Sequence, residues 1–111
     1  MINYEIHITC AAQQDLLNAA DHIEFILKNP KAADDLLDEA EKQINKLAEF
    51  PEKFCLIDDP VLLSWGIRSV SVKNYLAFYI IDNEKNKVII VRFLYQKSNW
   101  KAILRQGISS I

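Results

Sequence analysis

The sequence predicts an α+β domain: an antiparallel β-sheet with an N-terminal strand, a long α-helical hairpin packed on one face, and a short C-terminal helix. Three observations predict it. Residues 2–8 alternate apolar and polar with period two, residues 16–48 carry two successive helical stripes, and residues 66–94 hold three strand-like runs parted by turns. The order is β-α-α-β-β-β-α, in a single domain over residues 1–111.

Each element has a local reason. Ile2, Tyr4, Ile6 and Ile8 alternate with Asn3, Glu5, His7 and Thr9, the pattern of a half-buried strand. Leu16, Ala20, Ile23 and Leu27 then follow helical spacing, with Leu17 and Ala19 beside them. Asn29-Pro30 breaks that helix, and Pro30 suits the first position of the next. The second helix keeps Ala33, Leu36, Leu37, Ala40, Ile44, Leu47 and Ala48 on one stripe and ends at Phe50-Pro51. Helices of about 17 and about 19 residues with so short a joint make an antiparallel hairpin.

Strands over Gly66–Val72, Tyr75–Ile81 and Lys87–Leu94 are separated by Lys73-Asn74 and by Asp82–Asn86, both of hairpin type, so the three form an antiparallel meander. If Lys73-Asn74 is a two-residue turn, Val72 faces Tyr75, Arg68 faces Tyr79 and Arg92 falls near Leu76. Ser98 is expected to cap a terminal helix carrying Trp100, Ile103 and Leu104, with Gly107 as its stop.

Composition narrows the function classes. Half of the 111 residues are apolar, with only two Gly and three Pro, as in a packed globular protein. Cys10 and Cys55 are too few for a disulfide framework and too scattered for a metal site; they read as small buried hydrophobes in a reducing compartment. Met1–His7 lacks a basic segment followed by an apolar run, so no signal peptide is expected. The longest apolar stretch, Leu76–Ile81, is far below the ~20 residues of a membrane span. A soluble cytoplasmic protein that does not engage membranes is expected.

Charge is split by position. Up to Pro60 there are 13 Asp/Glu against 5 Lys/Arg; from Val61 onward there are 2 against 8. Halves of −8 and +6 thus hide within an overall charge of −2, which suggests one face built for an anionic partner.

Candidate site residues follow from that basic half. Arg68 and Arg92 share parity with apolar neighbours on their strands, so each either lines a groove for an anion or pairs with a carboxylate from the helices. Tyr95, Lys97, Lys101 and Arg105 crowd the segment after Arg92. Other groups are weaker. His7 and His22 have no partners in triad order, and Trp65 and Trp100 read as core or rim packing. Asp34, Asp35, Asp38 and Glu39 spread around a helix, as on a solvated face, and no glycine-rich phosphate loop exists. Neither a metal nor a cofactor is expected.

Several stretches, in this order and spacing, resemble the RelE/ParE superfamily of toxins from bacterial type II toxin–antitoxin pairs, closer to the ParE group. They are Leu47-Ala-Glu-Phe-Pro51, Gly66-Ile-Arg68, Val72-Lys-Asn-Tyr75, Phe78-Tyr-Ile-Ile-Asp82 and Val88-Ile-Ile-Val-Arg92 running on to Leu94-Tyr95. Asn29-Pro30-Lys-Ala-Ala33 is similar to the family's joint between helices. The similarity runs from Tyr4 to Leu104.

The resemblance implies a toxin neutralised by a cognate antitoxin, with two mechanisms to weigh. RelE-like members cleave ribosome-bound messenger RNA with strand lysines, a third-strand arginine, a basic residue after the fourth strand and a terminal tyrosine. The matching positions here are Ile67, Ser69, Leu76 and Lys97, with no tyrosine beyond Tyr95, so only Lys97 survives. The pI near 5.6 also argues against a ribosome-binding surface. ParE-like members poison DNA gyrase by binding, and the family's Gly-Arg-Arg-Asp-like stretch is replaced here by Gln96-Lys97-Ser98-Asn99. The expectation is therefore non-catalytic inhibition of gyrase. A basic groove would take an acidic or amphipathic antitoxin segment, with Arg68, Arg92, Tyr95, Lys97 and Trp100 on the functional surface. The alternatives are a ribosome-dependent endoribonuclease using Arg92, Tyr95 and Lys97, and a degenerate, non-toxic antitoxin partner.

Overall fold

The computed structural model describes residues 3–107 and is built around one four-stranded sheet. Strand β1 (Glu5–Ile8) leads through Thr9 into α1 (Cys10–Asp21). The Thr9 side chain accepts a hydrogen bond from the Ala12 N–H at 3.1 Å, satisfying one of the first-turn donors that a helix leaves open. Helix α1 runs on through a π turn (His22–Ile26), and α2 (Pro30–Lys46) returns alongside it. Asn29 caps α2 through the Ala32 N–H, and Pro30 takes the first position, as its sequence suggests.

A connection from Leu47 to Ile67 crosses to the other side of the sheet. It contains a 3₁₀ turn (Pro51–Lys53) and a short helix α3 (Pro60–Ser64). Strands β2 (Arg68–Val72), β3 (Tyr75–Asp82) and β4 (Lys87–Tyr95) form the expected antiparallel meander, followed by α4 (Trp100–Gly107). Strand order is β1-β4-β3-β2, and β1 joins β4 in parallel, so the sheet is mixed. A parallel partner needs a crossover connection, and the hairpin with its return segment supplies it.

The expected register holds at the β2–β3 turn: Val72 lies opposite Tyr75 and Arg68 opposite Tyr79. Between β3 and β4 it slips. Phe78 pairs with Arg92 but Tyr79 pairs with Ile90, leaving Val91 as a bulge. The bulge reverses the facing of β4. Val88 and Ile90 share the helix-side core with Phe93, whereas Val91 and Leu94 belong to the opposite core. Parity arguments for Arg92 counted straight along the strand therefore fail, and it sits opposite Phe78 instead of Leu76.

Both faces of the sheet are covered. On one, Ala12, Ala19, Leu36, Ala40 and Ile44 from the hairpin pack on Val70, Val72, Tyr79 and Ile90. The alanines let helix backbones approach the sheet and each other closely. On the other face Leu62 of α3 and Leu104 of α4, both fully buried, close over Ile67, Phe78 and Val91. No described helix is long and apolar enough to cross a membrane.

Three local expectations are corrected. Cys10 and Cys55 are exposed free thiols, because Cys10 occupies the solvent side of α1's first turn and Cys55 lies in the connection before α3. Ser98 does not cap α4; its hydroxyl donates to the Tyr95 carbonyl at 2.6 Å, and the Ile103 N–H bonds to the Asn99 carbonyl, which puts Asn99 at the helix start. Leu27 leaves the core stripe, since the extra residue in the π turn rotates the positions after it.

Tyr79 pins the connection to the sheet. It is fully buried, its hydroxyl donates to the Pro51 carbonyl at 2.7 Å, and burial pushes its pKa up to about 12. Tyr79→Phe leaves that carbonyl without its partner and is expected to cost about 1–2 kcal/mol in urea denaturation, with the slope of the transition unchanged.

Candidate functional site

Five residues were expected on one functional surface; the fold places them in four neighbourhoods. Arg68 sits at the start of β2, where its Nη1 donates to the Phe54 carbonyl at 2.6 Å. Among the described residues it has no carboxylate partner. Trp100 lies on the far face, tilted against Phe78 with ring centroids 5.2 Å apart and the Lys101 ammonium 5.6 Å from its own ring. Tyr95 and Lys97 stand together at the end of β4, both exposed.

Arg92 is held elsewhere. Its Nε donates to Asp15 Oδ2 at 2.6 Å and its Nη2 to Asp15 Oδ1 at 3.0 Å, a two-pronged pair between β4 and α1. The Asp15 hydrogen bonds, more than burial opposes, hold the Arg92 pKa above its ordinary value. Asp15 Oδ2 also accepts the Phe93 N–H at 3.1 Å. Of the two readings open for the strand arginines, the structural ion pair with a helix carboxylate is the one realised at Arg92.

The basic half does not gather into one groove. Turns of a meander alternate between its two ends, so Lys73 in the β2–β3 turn and Lys85 in the β3–β4 turn are separated by the length of β3. Arg105 of α4 is spent on Asp59, the residue that caps α3 through the Leu62 N–H. Charge clustered in sequence is dispersed in space.

What the fold does assemble is a groove between the hairpin tip and the β2–β3 end of the sheet. It has a volume of about 640 Å³ and is lined by His22, Ile23, Leu27, Asn29, Ala32, Asn74, Tyr75 and Tyr95. Tyr75 stacks on Phe93 at 5.3 Å and meets Tyr95 edge-on at 5.4 Å, so the aromatic wall is rigid. Above it Phe25, Ile26 and Leu27 project into solvent, 60–67% exposed. Exposed apolar runs of this kind mark interaction surfaces. The sequence carried a signal for it: Phe25 and Ile26 lie beside the Ile23–Leu27 stripe, not on it. Helix α3 had a signal too, since Asp59-Pro60 repeats the cap-then-proline order of Asn29-Pro30.

Among the described residues no group of three His, Cys, Asp or Glu side chains could hold a metal ion. Nor do the described hydrogen bonds join a nucleophile to a base: His7 and His22 are exposed and neither takes part in a side-chain hydrogen bond.

Residues 6–100 match the model of the family described as the ParE toxin of the type II toxin–antitoxin system parDE. The chain belongs to this ParE toxin family. Solved structures agree on the fold. The chromosomal ParDE toxin–antitoxin system of P. aeruginosa is similar at 17% identity, with a TM-score of 0.69 over 86% of this chain and 98% of that one. The RelBE2 toxin–antitoxin complex of Mycobacterium tuberculosis has 20% identity and a TM-score of 0.58, covering 85% and 99%. A mutant of the E. coli toxin RelE in the free state has 13% identity and a TM-score of 0.63, covering 98% of both chains. Among curated proteins, none matches the sequence significantly. With RelBE2 and RelE this ParE-family chain shares the fold.

The Asp59 carboxylate is held below the ordinary carboxylate range, first by the Leu62 N–H and then by Arg105, against the opposing effect of burial. A depressed carboxyl pKa gives stability that is complete above the unfolded value, about 4, and lost as pH falls through the folded value. The stability gap between wild type and Asp59→Asn is therefore expected to shrink as pH is lowered from about 5 to about 2, as read by denaturation at each pH.

Proposed function

We propose that this ParE-family toxin acts by binding DNA gyrase and blocking it without chemistry of its own, and that a cognate antitoxin neutralises it in the bacterial cytoplasm. One observation carries the choice between binding and cleavage. Cutting RNA through its 2′-hydroxyl needs a positioned base and cations arrayed around the developing phosphorane charge. At the positions that the RelE-like resemblance assigns to that task, this chain has Ile67, fully buried, Ser69, and Leu76, packed in the far-side core. Of the strand arginines, Arg92 is taken by Asp15 and Arg68, between Ile67 and Ser69, donates to the Phe54 carbonyl. A base at position 67 would have to displace a side chain that packs in the core beneath α3 and α4.

An antitoxin partner is supported by the family and by two of the structural neighbours, which are themselves toxin–antitoxin assemblies. Tyr95 and Lys97 are the expected contact residues best placed to serve, because Tyr95 lines the tip groove, Lys97 is exposed two residues further on, and neither is engaged in an ion pair among the described residues. Arg68 and Trp100 belong to other surfaces of the molecule and, on this reading, contribute separately to target or antitoxin contact.

The test pairs two assays on the purified chain: negative supercoiling by gyrase, and cleavage of a ribosome-bound message. Inhibited supercoiling with an intact message is the expected result. A cleaved message with normal supercoiling would move the chain to the nuclease reading.

A further inference from the structure

We propose that a hollow at the end of the sheet opposite the tip groove, between the start of β1 and the turn after α2, binds a small organic cation with an apolar body, such as an arylalkylamine. None of its lining residues takes part in the function proposed above.

The hollow has a volume of about 590 Å³, within the range of small-molecule pockets. It is lined by Tyr4, Glu49, Phe50, Pro51, Glu52 and Lys53. Contacts made without any ligand hold its walls. The Tyr4 N–H bonds to the Ala48 carbonyl at 2.8 Å, and the Tyr4 hydroxyl donates to Asn83 Oδ1 at 3.0 Å, which ties this residue to the end of α2 and to the β3–β4 turn. Pro51 is buried, and its carbonyl accepts the Tyr79 hydroxyl from the core. The Lys53 N–H closes the 3₁₀ turn on the Phe50 carbonyl at 3.2 Å. Walls fixed in advance lose little freedom when a ligand arrives. Phe50 is nonetheless 58% exposed, so its ring offers apolar surface that a ligand can cover.

The charges in the lining select the class of ligand. Glu49 and Glu52 are exposed, and neither joins an ion pair among the described residues. Lys53 opposes them, but its ammonium lies 5.6 Å from the centre of the Phe54 ring. Phe54 lines a smaller neighbouring hollow of about 260 Å³ and does not line the larger one; Lys46 likewise lines only the smaller. The Lys53 charge is thus drawn towards the smaller hollow, and two carboxylates remain beside the Tyr4 and Phe50 side chains. Carboxylates and aromatic rings both attract an ammonium group, whereas an anion is repelled by the carboxylates. An amine carried on an aromatic body matches the charge and the apolar wall together.

The experiment titrates the isotopically labelled full chain with phenethylamine at neutral pH and follows backbone amide NMR shifts, with phenylacetate as an anionic probe of similar body. Saturable shifts centred on Tyr4, Glu49, Phe50, Glu52 and Lys53 are expected, with a dissociation constant of about 1 mM, the strength open to so small a ligand. Phenylacetate is expected to bind at least about fivefold more weakly, and added salt to weaken the amine. Three variants are compared: Phe50→Ser, Glu49→Gln with Glu52→Gln, and Asp38→Asn on the acidic face of α2 as a control. All these side chains are exposed, and the dispersion of the amide spectrum checks that each variant folds. The first two are expected to weaken phenethylamine at least about fivefold, and the control to stay within about twofold of wild type. A smaller loss in either of the first two would overturn the site. So would phenylacetate binding as well as the amine, shifts centred on α2, or no saturable shift at all.

Discussion

The architecture depends on one carboxylate. Strand β1 stops at Ile8, so β4 loses its parallel neighbour just where it bulges at Val91. An open edge in the middle of a protein leaves donors and acceptors unsatisfied, which is costly. Helix α1 closes the gap with side chains. The Thr9 hydroxyl lies 3.0 and 3.1 Å from the Ile90 and Val91 carbonyls, and Asp15 takes the Phe93 N–H while clasping Arg92. Through that clasp the hairpin is fastened to the centre of the sheet.

The same contact shapes function by subtraction. A guanidinium clasped at two points by a carboxylate is poorly available to a phosphate or a foreign peptide. With Arg105 bound to Asp59 and Arg68 turned to the Phe54 carbonyl, the arginines of this ParE-family chain are largely devoted to holding its own elements together. The surface left for partners includes the apolar and aromatic patch at the hairpin tip. That is a surface for recognition by fit, and it supports the proposal that the chain acts by binding.

Legibility in the sequence followed interaction range. The hairpin helices, the meander and the β2–β3 register could be read because each is set within a few residues: Asn29-Pro30 for the joint, Lys73-Asn74 for the turn. Features set by distant partners could not. The parallel seat of β1 against β4 joins residues some eighty positions apart, and the Val91 bulge exists to suit Thr9 and Asp15 across that distance. Once the bulge inverted the facing of β4, counting parity misjudged Arg92. The cysteines misled for a different reason: Cys is usually buried, but a residue at a helix start has no obligation to face the core.

A double-mutant cycle between Asp15 and Arg92, read as denaturation free energies of wild type, Asp15→Ala, Arg92→Ala and the double variant, bears most directly on this account. A coupling energy on the order of 2 kcal/mol is expected if the clasp fastens the hairpin to the sheet. Coupling indistinguishable from zero would mean that the clasp does not fasten the hairpin to the sheet, and the structural role given to Arg92 would fall.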